Sequence, residues 1–278
     1  MKVARYWARR NCTADDENGY PVTRTVLRGS DISLADAEHQ AKIACDQICQ
    51  NIRAGFEPDW YDYDTKGKPE PIEREWFNSA GVRTAAITIN RHGIPVLNTA
   101  SLAFVDVDVP PAKKLSLLAR IFANHRAPPN AEYLELIRDW VNSSRSHSVR
   151  IYRTAAGLRY IITTPGFDPE SAETARLMEQ LNADPMYARL CKHQSSFRAR
   201  LAPKPWRIGC AGIDVNAVND RKSPTGSGKL DQYREAAKRY AVCELIEEIG
   251  TPPRDALIQE LVREHDEMCS VGSGLPLA

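Results

Sequence analysis

The chain has 278 residues, long enough for one large domain or two, with 42% hydrophobic and 26% charged residues, the balance of an ordinary globular protein. Its 37 Lys and Arg against 36 Asp and Glu give a formal net charge of +1, which excludes a global basic field, so nucleic acid would have to be met by a local patch. No apolar run approaches the length of a membrane span, and the opening MKVARYWARR lacks the apolar stretch of a secretory signal, so the expectation is a cytoplasmic protein with no membrane partner.

In chain order, residues 4–14 and 22–27 are predicted to pair as strands. Ser33 begins a helix, with Asp36 as a capping-box partner, and Leu34, Ala37, Ala41, Ala44, Ile48 and Ile52 fall on one face until Gly55 stops it. Residues 56–72, rich in Asp, Pro, Lys and Gly, read as a loop. Residues 82–90 and 94–98 flank Arg91-His92-Gly93 and predict a hairpin. The seven cysteines, Cys12, Cys45, Cys49, Cys191, Cys210, Cys243 and Cys269, are odd in number and contain no C-x-x-C, which predicts reduced thiols rather than a disulfide framework or a zinc knuckle.

The stretch Phe104-Val105-Asp106-Val107-Asp108-Val109, closed by Pro110 and Pro111, predicts a strand. Side chains alternate across a strand, so the valines face one side and Phe104, Asp106 and Asp108 the other. Two carboxylates in one row repel each other, and a hard divalent cation, Mg²⁺ or Mn²⁺, removes the repulsion. The plainer alternative is an edge strand with a solvated acidic face.

After it come helices over 112–124 and 131–142. Strands over 149–154 and 158–164 follow, joined by Ala155-Ala156-Gly157, whose small residues permit a close backbone approach. A helical region from Pro169 to about Lys192 with a break near Pro185, and a short strand over 197–201, complete the order β-α-β-β-α-β. The predicted class is α+β. A ferredoxin-like or RRM-like core occupies residues 101–220, an N-terminal α/β region residues 1–100, and a C-terminal helical segment residues 230–278. With the valines against helices, Asp106 and Asp108 are expected on an open sheet face.

Four cations, Arg198, Arg200, Lys204 and Arg207, lie within ten residues around Trp206, and Arg150, Arg153 and Arg159 flank the Ala155-Ala156-Gly157 turn. Guanidinium groups bind phosphate bidentately and an indole stacks on a base, so both groups are candidates for phosphate or nucleic acid; solvated charges and a structural hairpin are the alternatives. Thr225-Gly226-Ser227-Gly228-Lys229 lacks the first glycine and the Ser/Thr of a P-loop and reads as a linker. His265-Asp266 and the Cys45/Cys49 pair have suggestive spacing, but such isolated pairs are usually surface or packing residues.

The order of a DxD strand, a small-residue hairpin and a basic strand resembles the archaeo-eukaryotic primase-polymerase superfamily. The resemblance implies an RRM-like catalytic half in which Asp106 and Asp108 hold one or two Mg²⁺ or Mn²⁺ ions. Thr154 to Arg159 stands where that family has its phosphate-contacting hairpin, with Arg159 at the position of a histidine. Gly212-Ile213-Asp214-Val215 matches its third motif, making Asp214 a third ligand. The implied activity is a metal-dependent nucleotidyltransferase acting on nucleoside triphosphates and nucleic acid. In it Arg153, Arg159, Arg198, Arg200, Lys204 and Arg207 would neutralise phosphate. The alternative is a non-catalytic nucleic-acid-binding protein on a degenerate form of the same fold.

Overall fold

The computed structural model describes residues 1–56, 69–110, 130–210, 213 and 224–278. Helix 112–124, most of the loop over 56–72 and Asp214 lie outside the described residues. The chain is mixed α and β, with three antiparallel sheets and six described helices.

Strands β1 (Tyr6–Asp15) and β2 (Pro21–Ser30) pair along their whole length, as expected, with Tyr6 opposite Ser30 and Asp15 opposite Pro21. Helix α1 (Leu34–Arg53) lies on this ribbon. Ser33 Oγ accepts from the Asp36 N–H and caps the helix, while the Asp36 carboxylate turns to Ser30 Oγ and Gln40 instead of closing a capping box. Ala8, Cys12, Val26, Ala37, Ala41 and Cys45 form the small core between them. Within it Cys12 and Cys45 are joined by a disulfide, which corrects the expectation of seven reduced thiols. Spacing does not reveal it, because the partners meet only when the helix crosses the ribbon. The bridge closes a loop of 33 residues in a unit with little core of its own. Replacing both cysteines by serine is expected to cost roughly 3–4 kcal/mol, read as earlier proteolytic cleavage and an earlier melting step of this unit.

Strands β3 (Ile72–Phe77), β4 (Arg83–Ile89), β5 (Pro95–Thr99) and a late strand that joins β5 make one four-stranded sheet. The β4–β5 hairpin is the one expected; β3 begins at the last residue of the stretch that reads as loop. Strand β6 (Ala103–Asp108), helix α2 (Ala131–Asn142), and the hairpin of β7 (Ser148–Thr154) and β8 (Gly157–Ile162) follow. β8 lies between β6 and β7 and is antiparallel to both. Three of the four strands expected in the β-α-β-β-α-β core thus pair with one another, in the order β7-β8-β6.

Helices α3 (Ala172–Gln180) and α4 (Pro185–Gln194) come next, separated at the expected break, with Pro185 in the first turn and the Asp184 carboxylate capping it. Strand β9 (Phe197–Arg200) then pairs with β5, not with β6. The fourth strand of the β6 sheet is β10 (Cys243–Gly250), which pairs with β7 to give the order β10-β7-β8-β6. The C-terminal region is therefore not wholly helical. Helix α5 (Pro224–Ala237) takes in the P-loop-like stretch in its first turns, where a linker is expected, and α6 (Ala256–Met268) begins after an Asp255 cap.

The main core joins both large sheets to α2, α3, α4 and α6 through Val105, Val107, Ile137, Val141, Tyr160, Leu177, Phe197, Ile258 and Leu261. α6 lies on the face of β6, β7 and β8 that carries Phe104, Tyr152 and Arg159. Its His265 ring sits 5.8 Å from Phe104 and 5.2 Å from Tyr152. The face expected to be open is thus covered as far as Asp106; the strand end at Asp108 is exposed.

Candidate functional site

Pairing of β6 with β8 sets Asp106 opposite Arg159 and Asp108 opposite Gly157. The Arg159 guanidinium is almost fully buried and forks onto the carboxylate, Nε to Oδ1 at 2.7 Å and Nη2 to Oδ2 at 3.1 Å. Burial pulls the Asp106 carboxyl upward in pKa, and the charge and hydrogen bonds of Arg159 more than reverse this, leaving it below its usual range. Asp106 is therefore ion-paired through both oxygens, and a metal ion there would compete with Arg159. The repulsion that suggests a metal is already relieved by this arginine, which belongs to the hairpin expected to clamp phosphate.

The small-residue turn itself serves strand packing. Thr154 Oγ1 accepts from the Gly157 N–H, and a Cβ at Gly157 would run into the Val107 carbonyl and lie 2.8 Å from the Val109 nitrogen. The close approach is to β6, not to a ligand. Arg150 and Arg153, on the same hairpin, meet Glu248 and Glu244 across β10.

The basic segment divides in two. Arg198 Nη2 donates to both carboxylate oxygens of Glu70, at 2.7 and 2.9 Å, and Nη1 donates to Gln194 Oε1, so it is a structural ion pair. Arg200, Lys204 and Arg207 form no ion pair with any described residue. They crowd one another beside Asp106 and Asp108. Lys204 is depressed by partial burial and by the charges of Arg200 and Arg207, with Asp108 and Asp106 opposing. Arg200, although exposed at its surface, is likewise lowered, first by partial desolvation from neighbouring protein atoms and then by Arg159 and Arg207, against the pull of Asp106. An anion placed among them would relieve this crowding.

The 3₁₀ turn Pro205–Arg207 holds Trp206 outward, 56% exposed. Lys204 Nζ lies 5.7 Å from its ring centre, and the His92 ring packs edge-on at 5.7 Å. Arg91 Nε donates to His92 Nε2. The structure therefore brings together Asp106, Asp108, Arg159, Arg200, Lys204 and Arg207, while Arg153 and Arg198 are held in ion pairs with Glu244 and Glu70. Sequence reasoning misses Arg91 and His92 as site residues; the hairpin tip that carries them is legible, but its position beside Trp206 depends on β5 pairing with β9.

Behind Arg159 lies a buried cluster of which the sequence shows only the His265-Asp266 pair. Arg159 Nη1 donates to the Arg200 carbonyl at 3.0 Å and lies 3.2 Å from His265 Nε2. His265 Nδ1 is 2.9 Å from Asp266 Oδ1, and Asp266 also accepts from Tyr152 Oη and Arg150 Nη2, each at 2.8 Å. Cys243 Sγ is 4.0 Å from His265 Nε2 and Cys269 Sγ is 3.8 Å from the Arg200 carbonyl oxygen. A hydrogen bond from Cys269 draws the Cys243 thiol below its ordinary range against the effect of burial, and burial drives Cys269 upward. No helix among the described residues is long and apolar enough to cross a membrane. No protein-family model, curated protein or solved structure significantly matches this chain.

Proposed function

We propose that this chain is a nucleic-acid-binding protein that takes phosphate groups on Arg200, Lys204 and Arg207 and stacks a base on Trp206. The observation that carries this reading is an exposed indole set among three cations with no ion pair to any described residue, in a protein of net charge +1. Lys204 leans over the ring, and His92 meets it in a T-shaped contact. Stacking tolerates any base and splayed bases belong to single strands, so the expected ligand is single-stranded nucleic acid.

The test compares two arginines two residues apart. Arg200→Ala should weaken binding of a single-stranded oligonucleotide and flatten the dependence of log K on log salt by about 0.7 for each phosphate no longer neutralised. Arg198→Ala should leave the slope unchanged while lowering stability, because it strands Glu70. An equal effect of both on the slope, or of neither, refutes the assignment.

A second reading, metal-dependent nucleotidyl transfer of the primase-polymerase kind, is favoured by one observation. Asp106 and Asp108 share a strand face, and both act electrostatically on Lys204. It requires Asp106 to exchange Arg159 for Mg²⁺ or Mn²⁺ when a triphosphate arrives. Calorimetric Mn²⁺ binding that is lost in Asp108→Asn, together with turnover of a nucleoside triphosphate, would select it over simple binding.

A further inference from the structure

We infer that Cys243, His265 and Cys269 form a Zn²⁺ site at the junction of β10 and α6. This goes beyond the surface proposed above and uses none of its ligands. The three side chains are buried, and their candidate ligand atoms lie within 4.8 Å of one another. Zinc with two thiolates and one imidazole holds its ligand atoms about 3.5–3.8 Å apart, so the cluster needs to close by only about 1 Å. Thiolate and imidazole select Zn²⁺ over Mg²⁺ or Mn²⁺.

Three further features fit the ion. His265 and Cys269 are one helical turn apart at the end of α6, and Cys243 is delivered by the first residue of β10. His265 turns Nδ1 to Asp266, which is held in turn by Tyr152 and Arg150; this leaves Nε2 directed at the cysteines, the carboxylate–histidine support of a zinc ligand. The charges also close. Two thiolates balance Zn²⁺, and Asp106 balances Arg159. Zinc displaces the contact of Arg159 Nη1 with His265 Nε2 and the thiol contacts of Cys243 with His265 and of Cys269 with the Arg200 carbonyl. That guanidinium nitrogen keeps its bond to the Arg200 carbonyl, and the other two keep Asp106. Among the described residues no fourth Cys, His, Asp or Glu joins the group.

The test uses the full chain, stripped with a chelator and then titrated with Zn²⁺ or Co²⁺. Uptake of one Zn²⁺ per chain is expected, with two sulfur neighbours at about 2.3 Å by X-ray absorption. Co²⁺ should add a thiolate charge-transfer band that Cys269→Ser weakens and that Cys49→Ser and Cys210→Ser leave intact. A wild-type chain that takes up no metal, or binds it with fewer than two sulfur neighbours, overturns the assignment. So does a folded Cys269→Ser that keeps the full band. If Cys269→Ser does not fold, the sulfur count on the wild-type chain decides.

Discussion

Asp106→Asn should destabilise the protein by about 3–5 kcal/mol, the cost of leaving a buried charge without its partner. Arg159 is the reason. Its guanidinium is nearly inaccessible, and among the described residues the carboxylate that forks onto it is Asp106. The amide keeps the shape but turns an NH₂ toward a cation. Had the acidic row been held apart only by repulsion, the same substitution would leave stability unchanged or raise it, so a urea melt separates the two pictures. The pH dependence has a fixed sign. The Asp106 carboxyl is lowered in the folded state, so its contribution is present above the ordinary carboxylate pKa of about 3.9 and is lost as pH falls through the lower folded value. Asp106→Asn should therefore flatten the acid limb of the stability profile.

Gly157→Ala is expected to cost about 3 kcal/mol, the upper end of overpacking, because what it meets is backbone rather than a side chain able to change rotamer. The β6–β8 pairing would have to part at the Asp108–Gly157 step. Since that step lies next to the Asp106–Arg159 pair, the damage should spread to the site: oligonucleotide affinity should fall along with the denaturation midpoint. Ala155→Gly, at the exposed part of the same turn, should change both far less. Equal midpoints for the two variants would mean that the strands are not closely apposed there.

Local chemistry explains what can be read from the sequence. The β1–β2 ribbon, the Ser33 cap, the DxD strand and the β7–β8 hairpin are all decided by neighbours within a few residues. β10 is not. Cys243, Leu245, Ile246 and Ile249 suit a helical stripe as well as a strand, and its glutamates favour helix. Long-range pairing decides: Glu244 meets Arg153 and Glu248 meets Arg150 across β7. In the sequence the same arginines read as phosphate ligands because their partners are remote along the chain. The site is legible to the same extent. The basic cluster and the acidic strand stand out by composition, but whether each charge is free or paired depends on Glu70, Arg159 and Glu244. The His265 cluster escapes sequence reasoning because Cys243 is brought to it by a strand whose pattern reads as helix.

The place of β10 at the edge of the sheet bears on how the chain is made. β6, β7 and β8 leave the ribosome in succession, and the strand that covers β7 follows only after the whole stretch from Thr154 to Cys243 has been synthesised. At ~5–20 residues per second this takes on the order of ten seconds. Throughout that interval the nascent sheet presents β7 as a bare edge able to pair with another chain, and Arg150 and Arg153, still without their glutamates, are the charges that guard it.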